Sequence, residues 1–288
     1  MFLPGVGAIV LGLFFVVGTV FFGNLNNSGI LQIEPQEQIN QTISMSEDAV
    51  VVKKEADFSK MKSVVGEIVS ENAGDFGIAF KDLTTDKSWE INGDKIFTAA
   101  STMKVLSVSG LYNAIERDLV SLDKRVGGVA LQEHARLALE VSDNNSWETI
   151  NTVVGYKNLQ NFALGLRLTN INVFDNTIDA VDFRNLLEKL YSGQLLNNEN
   201  TNEVLSYMDH TETENRIPAG VDGAEIIYHK TGTLDALTHD GGIIRSGKGD
   251  YILTVYTENL LGNVDARSAV IAQISNAVWN EYLVQIQN

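Results

Sequence analysis

The sequence predicts an α+β fold: an antiparallel sheet covered by helices from the two ends of the folded region, with an all-helical subdomain inserted mid-chain. Three observations predict it. Strand-like stretches fall in two groups, near residues 75–92 and 225–257, and the long interval between them reads almost entirely as helix. An amphipathic helix opens the region and another closes it. With 288 residues, 44% hydrophobic and 20% charged, the chain can also bury a large core without staples.

The first 23 residues are a different material. From Phe2 to Gly23 no side chain is charged, and Thr19 is the sole hydroxyl. About 20 apolar residues rising 1.5 Å each span a bilayer core of about 30 Å. A cleavable signal has a basic start, a shorter apolar core and a small-x-small cleavage site. Thr19-Val-Phe-Phe-Gly-Asn24 is a poor one. The expectation is an uncleaved membrane anchor through residues 2–23, with an extracytoplasmic folded domain; secretion after signal cleavage is the alternative. Residues 24–57 are rich in Asn and Gln, with Pro35 and little apolar periodicity. They cannot bury enough surface to offset ordering entropy and read as a flexible tether, Val50–Val52 being the one candidate strand.

The folded region is expected over 58–288, with 58–100 and 215–288 forming the α/β part and 101–214 the helical part. Phe58–Glu71 repeats Met61, Val64, Val65 and Ile68 at helical spacing. Asp75–Leu83 alternates through Phe76, Ile78 and Phe80 as a half-buried strand; Thr84–Lys87 turns, and Ser88–Asn92 returns. Helices follow over Ser101–Arg117, Ala130–Val141, Ser146–Val154, Leu159–Leu166, Ala180–Ser192 and Asn200–Tyr207. Strands resume over Glu225–Lys230, Gly241–Arg245 and Asp250–Thr257. Asp265–Tyr282 closes as a helix, with Val270, Ile274, Ala277, Val278 and Tyr282 on one face.

Charge and composition exclude several functions. A formal charge of −16 and a pI near 4.6 argue against nucleic acid, whose phosphates would be repelled. The absence of cysteine removes disulfides, thiolate catalysis and zinc ribbons. No metal or organic cofactor is implied.

Three short motifs lie where the helical and sheet parts meet. Ser101-Thr102-Met103-Lys104 opens a helix. Residues i and i+3 share a helix face, so the Lys104 amine can approach the Ser101 hydroxyl. A serine hydroxyl is a poor nucleophile until a neighbouring base takes its proton. The helix N-terminus also offers N–H groups to a developing oxyanion. Alone, these residues equally describe a capping serine and a surface lysine. Ser142-Asp143-Asn144 stands between two helices and by itself describes a capping turn. Lys230-Thr231-Gly232-Thr233 ends a strand, by itself a strand closing in a glycine turn. As a site it supplies a positive charge, a hydroxyl and room for a ligand along the strand edge.

In this order the three motifs resemble the signature set of class A β-lactamases and penicillin-binding proteins. The resemblance, to the class A-like branch, covers roughly residues 58–288 and includes Phe183–Leu196 and His239–Ile243. It implies a β-lactamase/transpeptidase-like fold and a serine hydrolase. Ser101 is then the nucleophile, Lys104 its base, and Ser142 the relay that protonates the leaving nitrogen. Asn144 binds Lys104 and the substrate's side-chain amide. Lys230 and Thr231 bind the substrate carboxylate. The N–H groups of Ser101 and Thr233 form the oxyanion hole, and Gly232 gives the strand edge its room. Asp143 is expected to be a turn residue. Repulsion from Lys230 is expected to favour a neutral Lys104. The implied partners are a β-lactam or a peptidoglycan stem peptide, with the chain acting as a monomer.

The departures from the resemblance matter as much. The family's loop before the third motif carries a glutamate that activates the deacylating water. Here the corresponding stretch, Gly165–Ala180, is shortened and holds no glutamate. Asp175 and Asp179 are its only carboxylates, and both are expected to cap the following helix. Val126-Gly-Gly-Val129 runs almost directly into the next helix, so the cleft edge that usually carries an aromatic residue is missing, which suits a stem peptide as well as a small drug. No arginine follows directly after the third motif; His239 stands near that place and is expected to make a structural contact with Asp240. Acylation is therefore better supported than rapid hydrolysis. The leading reading is hydrolysis of the β-lactam amide with slow deacylation. A D-Ala-D-Ala carboxypeptidase or endopeptidase of peptidoglycan is the nearest alternative, and a non-turnover β-lactam or cell-wall sensor is a third.

Overall fold

Helix α1 (Ser59–Glu71) buries Met61, Val65 and Ile68, the spacing that marks it in the sequence. It belongs to a computed structural model that describes residues 56–286. The anchor expected over 2–23 and nearly all of the tether expected over 24–57, with Val50–Val52, lie outside the described residues. Among the described residues, no helix is long and apolar enough to cross a membrane.

Strand β1 (Asp75–Asp82) and its partner β2 (Ser88–Ile91) come next, then the short β3 (Phe97–Thr98). A 3₁₀ turn, Ala100–Met103, leads into α2 (Lys104–Glu116). The hairpin β4 (Arg125–Val126) and β5 (Val129–Ala130) occupies the abbreviated cleft edge. Helices α3 (Leu131–Glu140), α4 (Asn144–Val154) and α5 (Tyr156–Gly165) build the helical block. Then come β6 (Thr177–Ile178), α6 (Ala180–Tyr191) and α7 (Asn198–Ser206). Strands β7 (Ile226–Leu234), β8 (Leu237–Arg245) and β9 (Asp250–Glu258) lead to α8 (Val264–Ile286).

The sheet is five-stranded and antiparallel in the order β2-β1-β9-β8-β7, so the late strands complete a sheet that the early ones begin. Side-chain alternation divides its two faces. Phe76, Ile78 and Phe80 of β1, with Tyr251, Leu253 and Val255 of β9, pack on α1 and α8 in one core. Ala79, Ile243, Ile252 and Tyr256 point the other way and join α2, α6 and the helical block in a second core. This is the α+β arrangement expected.

One strand reading needs correction. Lys230-Thr231-Gly232-Thr233 does not end a strand in a glycine turn. The ladder continues from Lys230↔Gly241 to Leu234↔Leu237, so the motif lies inside β7 and β8 begins at Leu237. Gly and Thr are weak strand signals, and continuous pairing with β8 overrides them.

Candidate active site

The serine–lysine pair sits on a strained turn. Ala100 adopts φ 49°, a left-handed backbone that costs a side-chain-bearing residue about 1–2 kcal/mol. The 3₁₀ turn there presents Ser101, and α2 starts at Lys104. The Lys104 ammonium end is buried, and Nζ lies 2.9 Å from Ser101 Oγ. It also donates to the Ser142 carbonyl (2.5 Å), Ser142 Oγ (3.1 Å) and Asn144 Oδ1 (2.8 Å).

The turn between α3 and α4 delivers those last partners. Asp143 caps α4 by accepting the Ser146 N–H at 2.7 Å, as expected of a turn residue. Ser142 takes φ 58°, a second strained position beside the same lysine. One helical turn beyond Asn144, the Trp147 ring centroid lies 5.4 Å from Lys104 Nζ and forms a cation–π floor. Its indole N–H is held by Ser107 Oγ at 2.8 Å. Sequence reasoning misses Trp147, although its i+3 spacing from Asn144 is a usable signal.

Strand β7 closes the other side. Lys230 Nζ donates to Ser142 Oγ at 3.0 Å, so this hydroxyl receives N–H groups from both lysines. Gly232 is needed because a Cβ there would lie 2.9 Å from the Ala99 carbonyl and 3.2 Å from Ala100 Cβ. Its missing side chain lets β7 lie flat against the turn that carries Ser101. Thr231 and Thr233 flank it on the same strand.

An arginine does reach this strand, from the segment before it. Arg216, 2% exposed, donates to the Gly232 carbonyl (2.9 Å), the His239 carbonyl (2.6 Å) and Thr233 Oγ1 (2.5 Å). The expectation placed such an arginine after the third motif, where the sequence has none. No spacing rule marks Arg216, and only the tertiary fold brings it in.

The histidines differ from expectation. His239 is structural but does not pair with Asp240. Its Nε2 donates to the Thr98 carbonyl (3.0 Å) and its Nδ1 accepts the Thr257 N–H (3.0 Å). Burial pushes it down to about 4, so the ring is neutral. Adjacent residues on a strand point to opposite faces, which is why Asp240 turns away. Asp240 instead meets His229 Nδ1 at 3.0 Å and accepts the Ile217 N–H at 3.0 Å. Burial alone would lower His229, but Asp240 and then Glu214 raise it to about 9.

The two site lysines are depressed. Burial pushes Lys104 down to about 8, with Asp143 opposing. Burial and then the Lys104 charge push Lys230 down to about 7. Desolvation, rather than the expected repulsion, is thus the main cause at Lys104, and the repulsion is felt at Lys230. A hydroxyl 2.9 Å from an amine lowered to about 8 is within reach of direct proton transfer to it.

The loop of residues 166–178 is fastened beside this corner. Its exit, β6, pairs with β3, and the Asn176 carbonyl accepts the Ala99 N–H at 2.7 Å. Asp179 caps α6 through the Asp182 N–H (2.6 Å) and accepts Asn170 Nδ2 (2.6 Å). Asp175 does not cap that helix, contrary to expectation. It accepts Asn172 Nδ2 at 2.6 Å within the loop, because the β6 bridge leaves it too far upstream of α6.

A helix-covered antiparallel sheet with a buried lysine beside a serine at its edge defines the class: a β-lactamase-like serine hydrolase. The sequence profile of the beta-lactamase enzyme family matches residues 60–282, and the chain belongs to that family. Solved structures agree on the fold. An ancestral class A β-lactamase, reconstructed for Gram-negative bacteria, superposes with a TM-score of 0.72 at 21% identity, over 76% of this chain and 98% of that one. PBP-A gives 0.72 at 24% identity, over 78% and 97%. A PBP-A mutant solved as its acyl-enzyme complex with penicillin G gives 0.71 at 23%, over 78% and 97%. No curated protein sequence matches the chain.

Proposed function

We propose that the chain is an acyl-transfer enzyme whose Ser101 is acylated by β-lactams and released slowly, so that the adduct outlives its formation. The observation that carries this reading is the Lys104–Ser101 contact of 2.9 Å, coupled through Ser142 to Lys230. Neutral Lys104 takes the Ser101 proton as Oγ attacks the lactam carbonyl. The N–H groups of Ser101 and Thr233 hold the oxyanion. The C–N bond then breaks, the Ser142 hydroxyl gives its proton to the leaving nitrogen, and the proton held by the two lysines replaces it. Lys230, Thr231 and Thr233 bind the substrate carboxylate, with Arg216 behind Thr233. Gly232, expected to give a ligand room, instead lets the strand lie against the turn that carries Ser101, and Asn144 serves the substrate amide.

Slow release is expected from the loop, whose two carboxylates are both engaged elsewhere. Deacylation by a positioned base and water is typically worth about 10²–10⁴-fold. The same observation favours a second reading, a D-Ala-D-Ala peptidase acting on peptidoglycan stem peptides. A non-turnover sensor uses the same capture step. An anchor through residues 2–23 would place the site outside the cytoplasm beside that substrate.

Intact-mass measurement after penicillin exposure, followed over hours, tests the proposal. A stable adduct on Ser101 is expected, with slow loss. Steady hydrolysis of a chromogenic cephalosporin would make it an efficient β-lactamase instead. Release of D-Ala from a stem peptide would select the peptidase. No adduct and no turnover would end all three.

A further inference from the structure

The far end of α2 borders a cavity. It measures about 430 Å³ and lies between α2, the residues just after it, the end of α4, and α5. Small-molecule sites commonly span about 300–1,000 Å³. Helix α2 rises about 1.5 Å per residue, which puts Arg117 roughly 20 Å along the helix from Lys104. The cavity is therefore separate from the catalytic corner, and a ligand held there is independent of acyl transfer at Ser101.

Its floor is apolar and its rim polar. Ala114, Val120, Val153, Val154 and Phe162 form the floor. Gly110 lets α2 and α5 close together at one end of the cavity, since a Cβ there would lie 2.5 Å from Leu159 Cδ2 and 3.5 Å from Phe162 Cδ1. Asn113, Arg117 and Asn161 stand on the rim. Among the described residues, no hydrogen bond or ion pair engages any of these three side chains. The Arg117 guanidinium therefore stands open to a ligand at the mouth of the cavity. A guanidinium grips a carboxylate through two parallel N–H bonds, and a primary amide both donates and accepts. Leu119, 67% exposed, extends the apolar surface at the mouth.

We propose that this cavity binds a small apolar carboxylate. The aryl or alkyl body rests on the Val153–Phe162 floor and the carboxylate meets Arg117. Asn113 and Asn161 are placed for an adjoining amide or hydroxyl.

Calorimetric titration of the full chain with 4-phenylbutyrate and with its uncharged amide tests this. Saturable binding of the acid is expected, with the amide roughly tenfold weaker or worse for loss of the charge-assisted pair. Arg117→Gln, at an exposed position, should reproduce that loss for the acid. Ala114→Trp should abolish binding by filling the floor, with the melting temperature recorded to show that the variant folds. Lys230→Met, in the catalytic corner, should leave the titration unchanged. Three results would overturn the proposal: no saturation by about 10 mM, well above the range in which a specific small ligand registers; equal binding of acid and amide; or binding that survives Arg117→Gln and disappears with Lys230→Met.

Discussion

On one side of Ser101 lie Lys104, Ser142, Asn144 and Lys230, joined by hydrogen bonds of 2.5–3.1 Å. On the other side lies the 166–178 loop, tied to the strand before Ser101 by β6 and Asn176, with its carboxylates turned to its own structure. Both regions are well fastened, so the difference is chemical rather than mechanical. The first gathers two buried amines and a second hydroxyl around Ser101, which the proposed reading uses as base, cation and relay. The second holds a helix cap and a turn. Acyl transfer needs the first region to form the ester and a base for water to break it. On the proposed reading, capture therefore outpaces release.

The comparison breaks most sharply at the nucleophile and its base. Ser101→Ala should remove the penicillin adduct altogether in an intact-mass assay. Lys104→Ala should slow its formation by about 10²–10⁴-fold, the usual worth of a positioned general base. If either variant labels at the wild-type rate, the first region is not the acylating one.

The pH dependence of labelling sharpens the same point. Lys104 lies near 8 and Lys230 near 7, and both donate to Ser142 Oγ. Below about 7 both amines are charged and no base is present. Above about 8 both are neutral and the carboxylate loses its cation. Between these values the pair keeps one proton, which either amine can hold through Ser142. The acylation rate constant should trace a narrow bell with limbs near 7 and 8, measured by stopped-flow or quenched mass spectrometry. A rate that climbs without a maximum to pH 10 would show that no lysine charge is needed.

A smaller effect is expected at Arg216. Replacement by Gln removes the donor to Thr233 Oγ1 and loosens the Gly232 and His239 carbonyls. Hydrogen bonds to charged groups contribute about 1.5–3 kcal/mol, so half-saturation for a carboxylate-bearing penicillin should rise by about ten- to a hundredfold. Labelling at saturation should change less. A β-lactam with its carboxylate esterified should be nearly indifferent to the replacement.

Which of these parts can be read from the chain alone depends on the range of the interactions involved. Ser101 and Lys104 are three residues apart, and helical spacing suffices to pair them. Asp143 as a cap is equally local. Motif order supplies the remainder of the corner. Arg216 is hidden, because its partners lie 16, 17 and 23 residues along the chain on two strands. The His229–Asp240 pair is hidden for the same reason: adjacency in sequence suggests His239 as the partner of Asp240, although the strand sends adjacent side chains to opposite faces. The strained φ values at Ala100 and Ser142 leave no compositional trace, since neither residue is Gly or Asn. The fold class is legible because alternation and helical periodicity are dense in β1, β9, α1 and α8. The third motif's place inside β7 is not, because only pairing with β8 makes Thr-Gly-Thr a strand.

The smallest expected effect is the most pointed test of the loop. Asp179, at the end of the loop, is 1% exposed and caps α6. Burial raises its pKa. Asparagine caps a helix about as well as aspartate, so Asp179→Asn keeps the Asp182 N–H satisfied while removing the charge and the acceptor for Asn170 Nδ2. Stability should fall by about 1–3 kcal/mol in denaturant unfolding, chiefly because Asn170 loses its buried acceptor. The rate at which the penicillin adduct disappears should stay within about twofold, far short of the 10²–10⁴-fold that loss of a general base produces. A hundredfold slower release would mean that Asp179 leaves its cap in the acylated protein and serves water, and the contrast between the two regions would collapse.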